Sequence, residues 1–419
     1  MKALFLSIGS RGDMEPFLAL AVLFRKRGWE VHCGMPAQFE SLASDQNLPF
    51  TPFDPRFIDL IDGKEGRDIM GQKGSIPKRL LTYIKLARKS FSLQGPMIRE
   101  QRDLILNEKP DLVIYHGKCI YPVIWGMQNH GKTIMMSAMP CIMHPVAAYP
   151  NVGMPLFGGP GWNLWTYKLY NSIFATITRK MCKYLPKAEV DKKQLTKRSI
   201  KDFLLNKQPY YYSISPAVFP RPTSWPDHVK LTGFRDLPKA QAYTPPPELE
   251  VFLKEHQKVL FISFGSMVNN NPKAKTEAII SLLAKHKIPA ILNTSWGGLN
   301  ENVSHPEHVL FVQNIPYDWL FPKVYAVMHH GGSGTTHTGL KNGCATMVIP
   351  HIVDQFFWNR LIAKIGAGPM GMPIKKLNAL RLEEKLLDLW MNRDYKLKAE
   401  QLARQMAKED FEEKILNGL

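Results

Sequence analysis

The sequence has no apolar run long enough to cross a bilayer, which takes about 20 consecutive apolar residues. Its 45% hydrophobic content therefore goes into folded cores. The opening Lys2-Ala3-Leu4-Phe5-Leu6-Ser7-Ile8-Gly9 begins like a secretory leader. Its apolar stretch is too short, however, and runs straight into a glycine, so it reads as a first buried strand. Cysteine is scarce: Cys33, Cys119, Cys141, Cys182 and Cys344 form an odd set without metal-ligand spacing. That excludes a disulfide framework and a structural zinc and suits a reducing cytoplasm. Acidic residues are short as well, 36 Asp and Glu against 54 Lys and Arg, for a net charge of +18. No recognisable nucleic-acid module accompanies the excess, so nucleic acid is not an expected partner. Internal repeats and low-complexity segments are also missing.

A chain of 419 residues suits two domains of about 200 residues each. Short apolar strands alternate with longer amphipathic stretches in both halves, which predicts an α/β protein with parallel sheets and right-handed crossovers. In the first half, strands are expected near 2–8, 29–34, 111–115 and 132–137, with a helix from about Glu15 to Arg27. In the second, strands are expected near 259–264, 289–293, 309–312, 325–328 and 346–349. Eight prolines from Pro216 to Pro247 punctuate the stretch between, which reads as a linker over 216–247 joining domains at 1–215 and 248–390. The end, from about Leu380 to Leu419, reads as charged amphipathic helix.

The most informative segment is His329-His330-Gly331-Gly332-Ser333-Gly334-Thr335-Thr336, between the apolar Val324–Met328 and a helix-compatible stretch. Its glycines permit a tight turn with close backbone approach. A helix start has orphan N–H donors and a partial positive charge, which together suit a diphosphate. The next strand is followed by Asp354-Gln355, which suits hydroxyl recognition; a helix cap is the competing reading. In an open parallel sheet both strand ends face one crevice. A phosphate cradle beside a hydroxyl reader describes a nucleotide sugar.

The pattern from His329 to Pro369, HHGGSGTT then DQFFWN then GAGP, resembles the donor-binding box of the GT-B nucleotide-sugar glycosyltransferases. It is most similar to the branch of sterol and antibiotic glycosyltransferases, and Gly9-Ser10-Arg11-Gly12-Asp13-Met14-Glu15-Pro16-Phe17 is similar to that branch's amino-terminal signature. The resemblance implies two Rossmann-like domains whose parallel sheets face a central cleft, with acceptor in the first and donor in the second. The terminal helix, 391–419, would cross back to the first domain. It further implies that Ser266, His330, Gly332, Ser333, Gly334 and Thr335 hold the diphosphate and that Asp354 and Gln355 read the sugar. Tyr317, after Pro316, stands in the base-recognition loop, and Trp296 either lines the nucleotide pocket or packs. The implied activity is metal-independent transfer of a hexose, with inversion, from a nucleotide sugar such as UDP-glucose, which is a co-substrate, with no cofactor. The acceptor would be a sterol, polyphenol or polyketide. A transferase acting on a lipid-linked cell-envelope intermediate and a nucleotide-sugar epimerase are the alternatives.

Transfer needs a base for the acceptor hydroxyl. Either Asp13 serves directly, or His116, ending Pro110-Asp111-Leu112-Val113-Ile114-Tyr115-His116, serves while Asp13 holds it. An unperturbed Asp, at about 3.9, is the poorer base and His, at about 6.5, the better one. Asp13 also reads as the N-cap of the first helix. Apolar side chains in the stretches 55–110 and 150–215, Phe91 and Trp162 among them, suit a hydrophobic acceptor; His144 is a further cleft candidate or a structural histidine. Nine basic residues lie between Arg179 and Lys201, directly after the aromatic run Trp162–Tyr170. Aromatics beside a basic cluster suit peripheral contact with an anionic membrane from the cytoplasmic side, and a core helix followed by a solvated face is the competing reading.

Overall fold

The computed structural model describes every residue except 57, 58, 60–75, 155–157, 192, 239–242, 268, 295–297, 413, 414 and 416–419, and the side chains at 76–88, 90 and 91. Trp296 and the Phe91 side chain therefore lie outside the described residues. The chain divides into two compact units. The first takes in Met1–Gly66, Leu80–Ala240 and Asp410–Leu419, and the second includes Gln241–Glu409.

Unit one is built on seven parallel strands: β1 (Lys2–Leu6), β2 (Glu30–Pro36), β3 (Phe50–Phe53), β4 (Leu112–His116), β5 (Thr133–Ser137), β6 (Tyr210–Tyr212) and β7 (Val229–Leu231). Their order is β3-β2-β1-β4-β5-β6-β7. Ala3, Leu4, Phe5 and Leu6 are all fully buried, the continuous apolar run of a strand covered on both faces. Helix α1 (Arg11–Lys26) follows β1, and its Phe24 meets Phe5 edge-on, ring centroids 5.4 Å apart. A buried side chain of this size contributes about 1.5–3 kcal/mol. Phe411 and Ile415, from the far end of the chain, complete the same core. Two further helices matter below: α2 (Gly159–Met181) and α3 (Lys197–Asp202).

Unit two repeats the plan with β8 (Leu260–Ser263), β9 (Ala290–Asn293), β10 (Val309–Val312), β11 (Ala326–His329) and β12 (Ala345–Val348), ordered β10-β9-β8-β11-β12 and parallel throughout. Helices α4 (Ser333–Lys341) and α5 (Gln355–Ile365) follow β11 and β12. Helix α6 (Ala379–Met391) buries Leu382, Leu386 and Leu389, at helical spacing, in the main core. Lys258 is clamped beneath this sheet, its Nζ 4.1 Å from the ring centroids of both Tyr325 and Trp390 and donating to the Trp390 carbonyl at 2.5 Å.

Several boundaries differ from the sequence reading. The first helix begins at Arg11, ahead of Glu15, with Ser10 as N-cap. Pro16 therefore sits inside it and leaves only the carbonyl of the exposed Gly12 without its helical donor. The proline-rich stretch is more than a connection, because it supplies β7, an edge strand beside β6, and belongs to unit one as far as Ala240. The end of the chain forms two helices, α6 and α7 (Arg393–Met406), divided at Asn392, whose side chain accepts from Asp394 N–H at 3.1 Å. No helix among the described residues is long and apolar enough to cross a membrane.

Candidate functional site

In both sheets the strand order reverses direction beside the first strand, between β1 and β4 in one and between β8 and β11 in the other. Loops leaving the carboxyl ends of such a pair diverge and leave a crevice. Asp13 and His116 stand at the first of these points, and the His329–Thr336 segment stands at the second.

At the first, Asp13 is the third residue of α1 and not its N-cap. Its Oδ2 accepts the Ser10 backbone N–H at 2.8 Å and the Lys118 ammonium at 3.1 Å, and its backbone carbonyl accepts the Ser7 hydroxyl at 2.8 Å. Its Oδ1 faces His116 Nε2 at 3.5 Å. The Lys118 backbone N–H donates to His116 Nδ1 at 3.3 Å, which fixes Nδ1 as an acceptor and puts the ring proton on Nε2, toward the carboxylate. His116 is 7% exposed with Phe17 edge-on against it, and the Asp13 side chain is partly open. Burial pushes the His116 imidazole down to about 4; the Asp13 charge opposes that shift and the Lys118 charge adds to it. Burial raises the Asp13 carboxyl, but Lys118, His116 and the Ser10 N–H outweigh it and hold the group below its ordinary value. At neutral pH the pair is thus an ionised carboxylate beside a neutral imidazole. Gly9 makes the arrangement possible, because a Cβ there would lie 2.0 Å from Asp13 Oδ2 and 2.6 Å from Lys118 Nζ. Its φ of +150° belongs to glycine.

The structure brings Asp13 and His116, both singled out in the sequence, to one place, and adds Gly9 and Lys118, which were not. A lysine two residues after a strand reads as a solvated charge, and only the pairing of β1 with β4 carries it to Asp13.

At the second point, β8 runs into Gly265 and the exposed Ser266, and β11 into His329 and His330. The His330 ring lies against two glycines: a Cβ on Gly265 would come within 2.7 Å of its Cε1, and one on Gly332 within 2.6 Å of its Nε2. Burial pushes its pKa down to about 4, so the ring is neutral at pH 7. Its Nδ1 is buried with no hydrogen-bond partner among the described residues. His329, fully buried, accepts the Gly331 N–H at 3.0 Å and shapes the turn. Gly332 caps α4, and Gly332, Ser333, Gly334 and Thr335 are all partly exposed, so first-turn N–H groups reach the surface beside His330. Thr336, by contrast, gives its hydroxyl to the Gly332 carbonyl at 2.8 Å.

Two expected donor contacts turn elsewhere. Gln355 is buried, its Oε1 accepting the N–H groups of His351 at 2.7 Å and Ile352 at 3.1 Å and its Nε2 pointing at Met267 Sδ. A buried amide needs partners, and the loop backbone supplies them. Asp354, just ahead of it, is the half-exposed member of the pair and the N-cap of α5. Tyr317 stacks on Phe321 at 4.9 Å and shares a 2.8 Å hydrogen bond with Ser263 Oγ, which also accepts the Gly265 N–H at 3.2 Å. It braces the β8 loop. His144 is packed among Tyr210, Tyr212 and Trp225, with Nδ1 on the Tyr212 hydroxyl at 3.0 Å and its pKa pushed down to about 3 by burial. That is the environment of a structural histidine. Trp162, on α2, stacks with Trp165. All five cysteines are buried free thiols.

Residues 3–121 match the glycosyltransferase family 28 N-terminal domain, and residues 287–418 match the erythromycin biosynthesis protein CIII-like C-terminal domain. The chain is 28% identical to the sterol 3-beta-glucosyltransferase UGT80A2 of Arabidopsis thaliana, over 98% of this chain and 64% of that protein. It is 29% identical to the sterol 3-beta-glucosyltransferase of Vanderwaltozyma polyspora, over 97% of this chain and 33% of that one. It thus spans less than two thirds of the length of these relatives. Among solved structures, the calicheamicin glycosyltransferase CalG4 superposes with a TM-score of 0.70 at 14% identity, covering 100% of this chain and 96% of that one. The spinosyn rhamnosyltransferase SpnG complexed with thymidine diphosphate gives 0.65 at 13%, covering 100% and 99%.

Proposed function

We propose that this chain, which belongs to the GT-B glycosyltransferase branch of sterol and antibiotic glycosyltransferases, moves a hexose, glucose from UDP-glucose, to a hydroxyl of a hydrophobic acceptor such as a sterol. The observation that carries the reading is that each switch point holds half of the chemistry: an ionised carboxylate with its histidine in unit one, and in unit two a glycine-capped helix start beside a neutral histidine whose Nδ1 has no partner among the described residues. The relatives that match nearly the whole chain are named for sterol glucosylation, which supports an apolar hydroxylated acceptor.

Asp13 is the base in this reading. His116 has Nδ1 occupied by the Lys118 N–H and presents Nε2–H to the carboxylate, so the ring orients Asp13 and has no free lone pair for the acceptor. A carboxylate of depressed pKa suffices, because the acceptor hydroxyl becomes strongly acidic as its oxygen bonds to the anomeric carbon. The oxygen–carbon bond forms as the carbon–oxygen bond to the diphosphate breaks on the opposite face, and the hydroxyl proton passes to Asp13. Configuration at the anomeric carbon is therefore inverted, with no covalent enzyme intermediate. The first-turn N–H groups of α4 and the His330 ring take up the charge of the departing diphosphate, work that this reading assigns to them instead of a metal.

The test is UDP release from UDP-glucose, with and without a panel of sterols, polyphenols and macrolides, with products weighed by mass spectrometry. Acceptor-dependent release with a mass gain of one hexose and inverted configuration supports the reading. A retained configuration sinks the mechanism, and UDP-glucose failing to bind sinks the donor assignment.

A further inference from the structure

Helix α2 buries an unusually polar side and leaves large apolar side chains exposed on the other. Its buried side carries Asn163, Thr166, Tyr167, Asn171 and Thr178, held in place by hydrogen bonds to the preceding loop: Asn163 to the Ala147 carbonyl at 2.8 Å, Asn171 to that of Met143 at 3.0 Å and Tyr167 to that of Tyr149 at 3.0 Å. Its outer side displays Trp165 and Ile173, each 48% exposed, and Leu164 at 38%. Trp165, Leu169, Ile173 and Ile177 follow one another at four-residue steps and so share a face, with Trp162 stacked on Trp165 at 5.2 Å. The buried side is thus mixed, with Phe174, Ala175 and Met181 beside the polar pins, and the outer side leaves large apolar side chains in solvent that the fold's own core does not use.

The charge beside this face is mostly of one sign. Arg179 and Lys180 end the helix exposed, Lys183 and Lys187 follow, and Lys197 and Arg198 project from α3, which packs against α2. Of the two acids in the segment, Glu189 is taken by Arg102, which donates to it at 2.6 Å, leaving Asp191 as the opposing charge. Asp202, at the end of α3, is paired with Lys207 at 3.1 Å.

We propose that the outer face of α2 docks on an anionic lipid surface, with the Trp165–Ile173 stripe entering the headgroup region and the basic segment pairing with headgroup charge. Exposed aromatics beside an excess of cations fit a surface that is apolar below and negative above. The polar pins of the inner face hold the helix rigidly for this role, so docking needs no refolding.

The experiment is co-sedimentation of the whole chain, without nucleotide sugar, with vesicles of phosphatidylserine and phosphatidylcholine, against vesicles of phosphatidylcholine alone. Binding is expected to the anionic vesicles and to be lost in about 1 M salt, where the screening length is about 3 Å. The variant W165S/I173S should bind about tenfold more weakly or worse. Neutralising Lys197 and Arg198 to Gln should weaken binding about fivefold per residue. All four side chains are exposed, so circular dichroism should match the parent. Three results would overturn the proposal: no sedimentation with anionic vesicles; binding unchanged in W165S/I173S; or a dimer in light scattering that W165S/I173S splits, without vesicle binding. Because no donor or acceptor takes part, these outcomes are independent of the transfer reaction.

Discussion

Gly9→Ala should act as a concealed deletion of the Asp13 carboxylate. The added methyl would sit 2.0 Å from Asp13 Oδ2, a separation that real Cβ atoms do not show, and the backbone at φ +150° resists any side chain. Something must move. Holding Asp13 in place are a hydrogen bond from the Ser10 N–H, of the kind contributing about 1.5–3 kcal/mol for a charged acceptor, and an ion pair with the half-exposed Lys118, contributing about 1 kcal/mol or less. These two hold the carboxylate by about 1.5–4 kcal/mol, with the Ser10 hydroxyl at 3.3 Å and the His116 ring at 3.5 Å adding weaker contacts, whereas the glycine conformation imposes about 1–3 kcal/mol on alanine even without the collision. Swinging Asp13 out relieves the collision at a cost that the strand and helix, with the core packed behind them, would exceed if they moved instead. A general base contributes about 10²–10⁴ in rate, so kcat for Gly9→Ala should fall to within about tenfold of Asp13→Ala. The pair should also be non-additive, with Gly9→Ala/Asp13→Ala no slower than Asp13→Ala alone, because the two changes remove one group. The assay is single-turnover hexose transfer at saturating donor. Near-parental kcat for Gly9→Ala, or costs that multiply in the double variant, would refute the geometry of the site.

Three further outcomes follow from the same coordinates. Folded-state pKa values near 4 for His116 and His330 and near 3 for His144 lie below the ordinary histidine value, so their neutral forms stabilise the fold fully above about pH 6.5; that contribution is lost as pH falls toward 4. Asp13, also depressed, keeps its contribution until lower pH. Melting temperature should therefore drop steeply between pH 6.5 and 4 by this account, and His116→Gln should flatten the profile; an unchanged pH dependence argues against a buried neutral ring. Gly332→Ala should push the His330 ring out of place and weaken UDP binding about tenfold in calorimetry, with an unaltered Kd counting against the cradle. Lys258→Met should lower the melting transition by about 1–2 kcal/mol through loss of the two aromatic contacts, and no shift would mean that the clamp is energetically idle.

Nine of the twelve strands among the described residues were legible, most of them as short apolar runs; β2, which carries Glu30 and His32, reads instead by its buried Val31, Cys33 and Met35. The three that escaped explain themselves. β3 contains Pro52 and lies at a sheet edge, where a missing N–H is tolerated; β7 is a three-residue edge strand among prolines. β6 is Tyr210-Tyr211-Tyr212, residues that look half-polar in a sequence yet are fully buried, with the Tyr212 hydroxyl satisfied by His144. At the site, Asp13, His116 and the His330–Thr335 segment could be named because they sit at strand ends. Lys118 could not, since its contact with Asp13 depends on which strands are neighbours, and Gly9 could not, since its closeness to the carboxylate depends on the conformation of the β1–α1 turn. The inward turn of Gln355 depends on where the loop's own N–H groups point, information absent from residue order.

Over five strands the two sheets share one order, and the crevice beside the first strand of each holds a different set of side chains. In the proposed function a proton would be handled at one address and an anion at the other, with the same central scaffold beneath both. Because each crevice is assembled from loops rooted at only two strand ends, its contents can change without disturbing the packed layers below. In the proposed function, the crevice of one sheet could then be rebuilt by exchanging the loops that follow β1 and β4, leaving the histidine–glycine segment of the other sheet as it is.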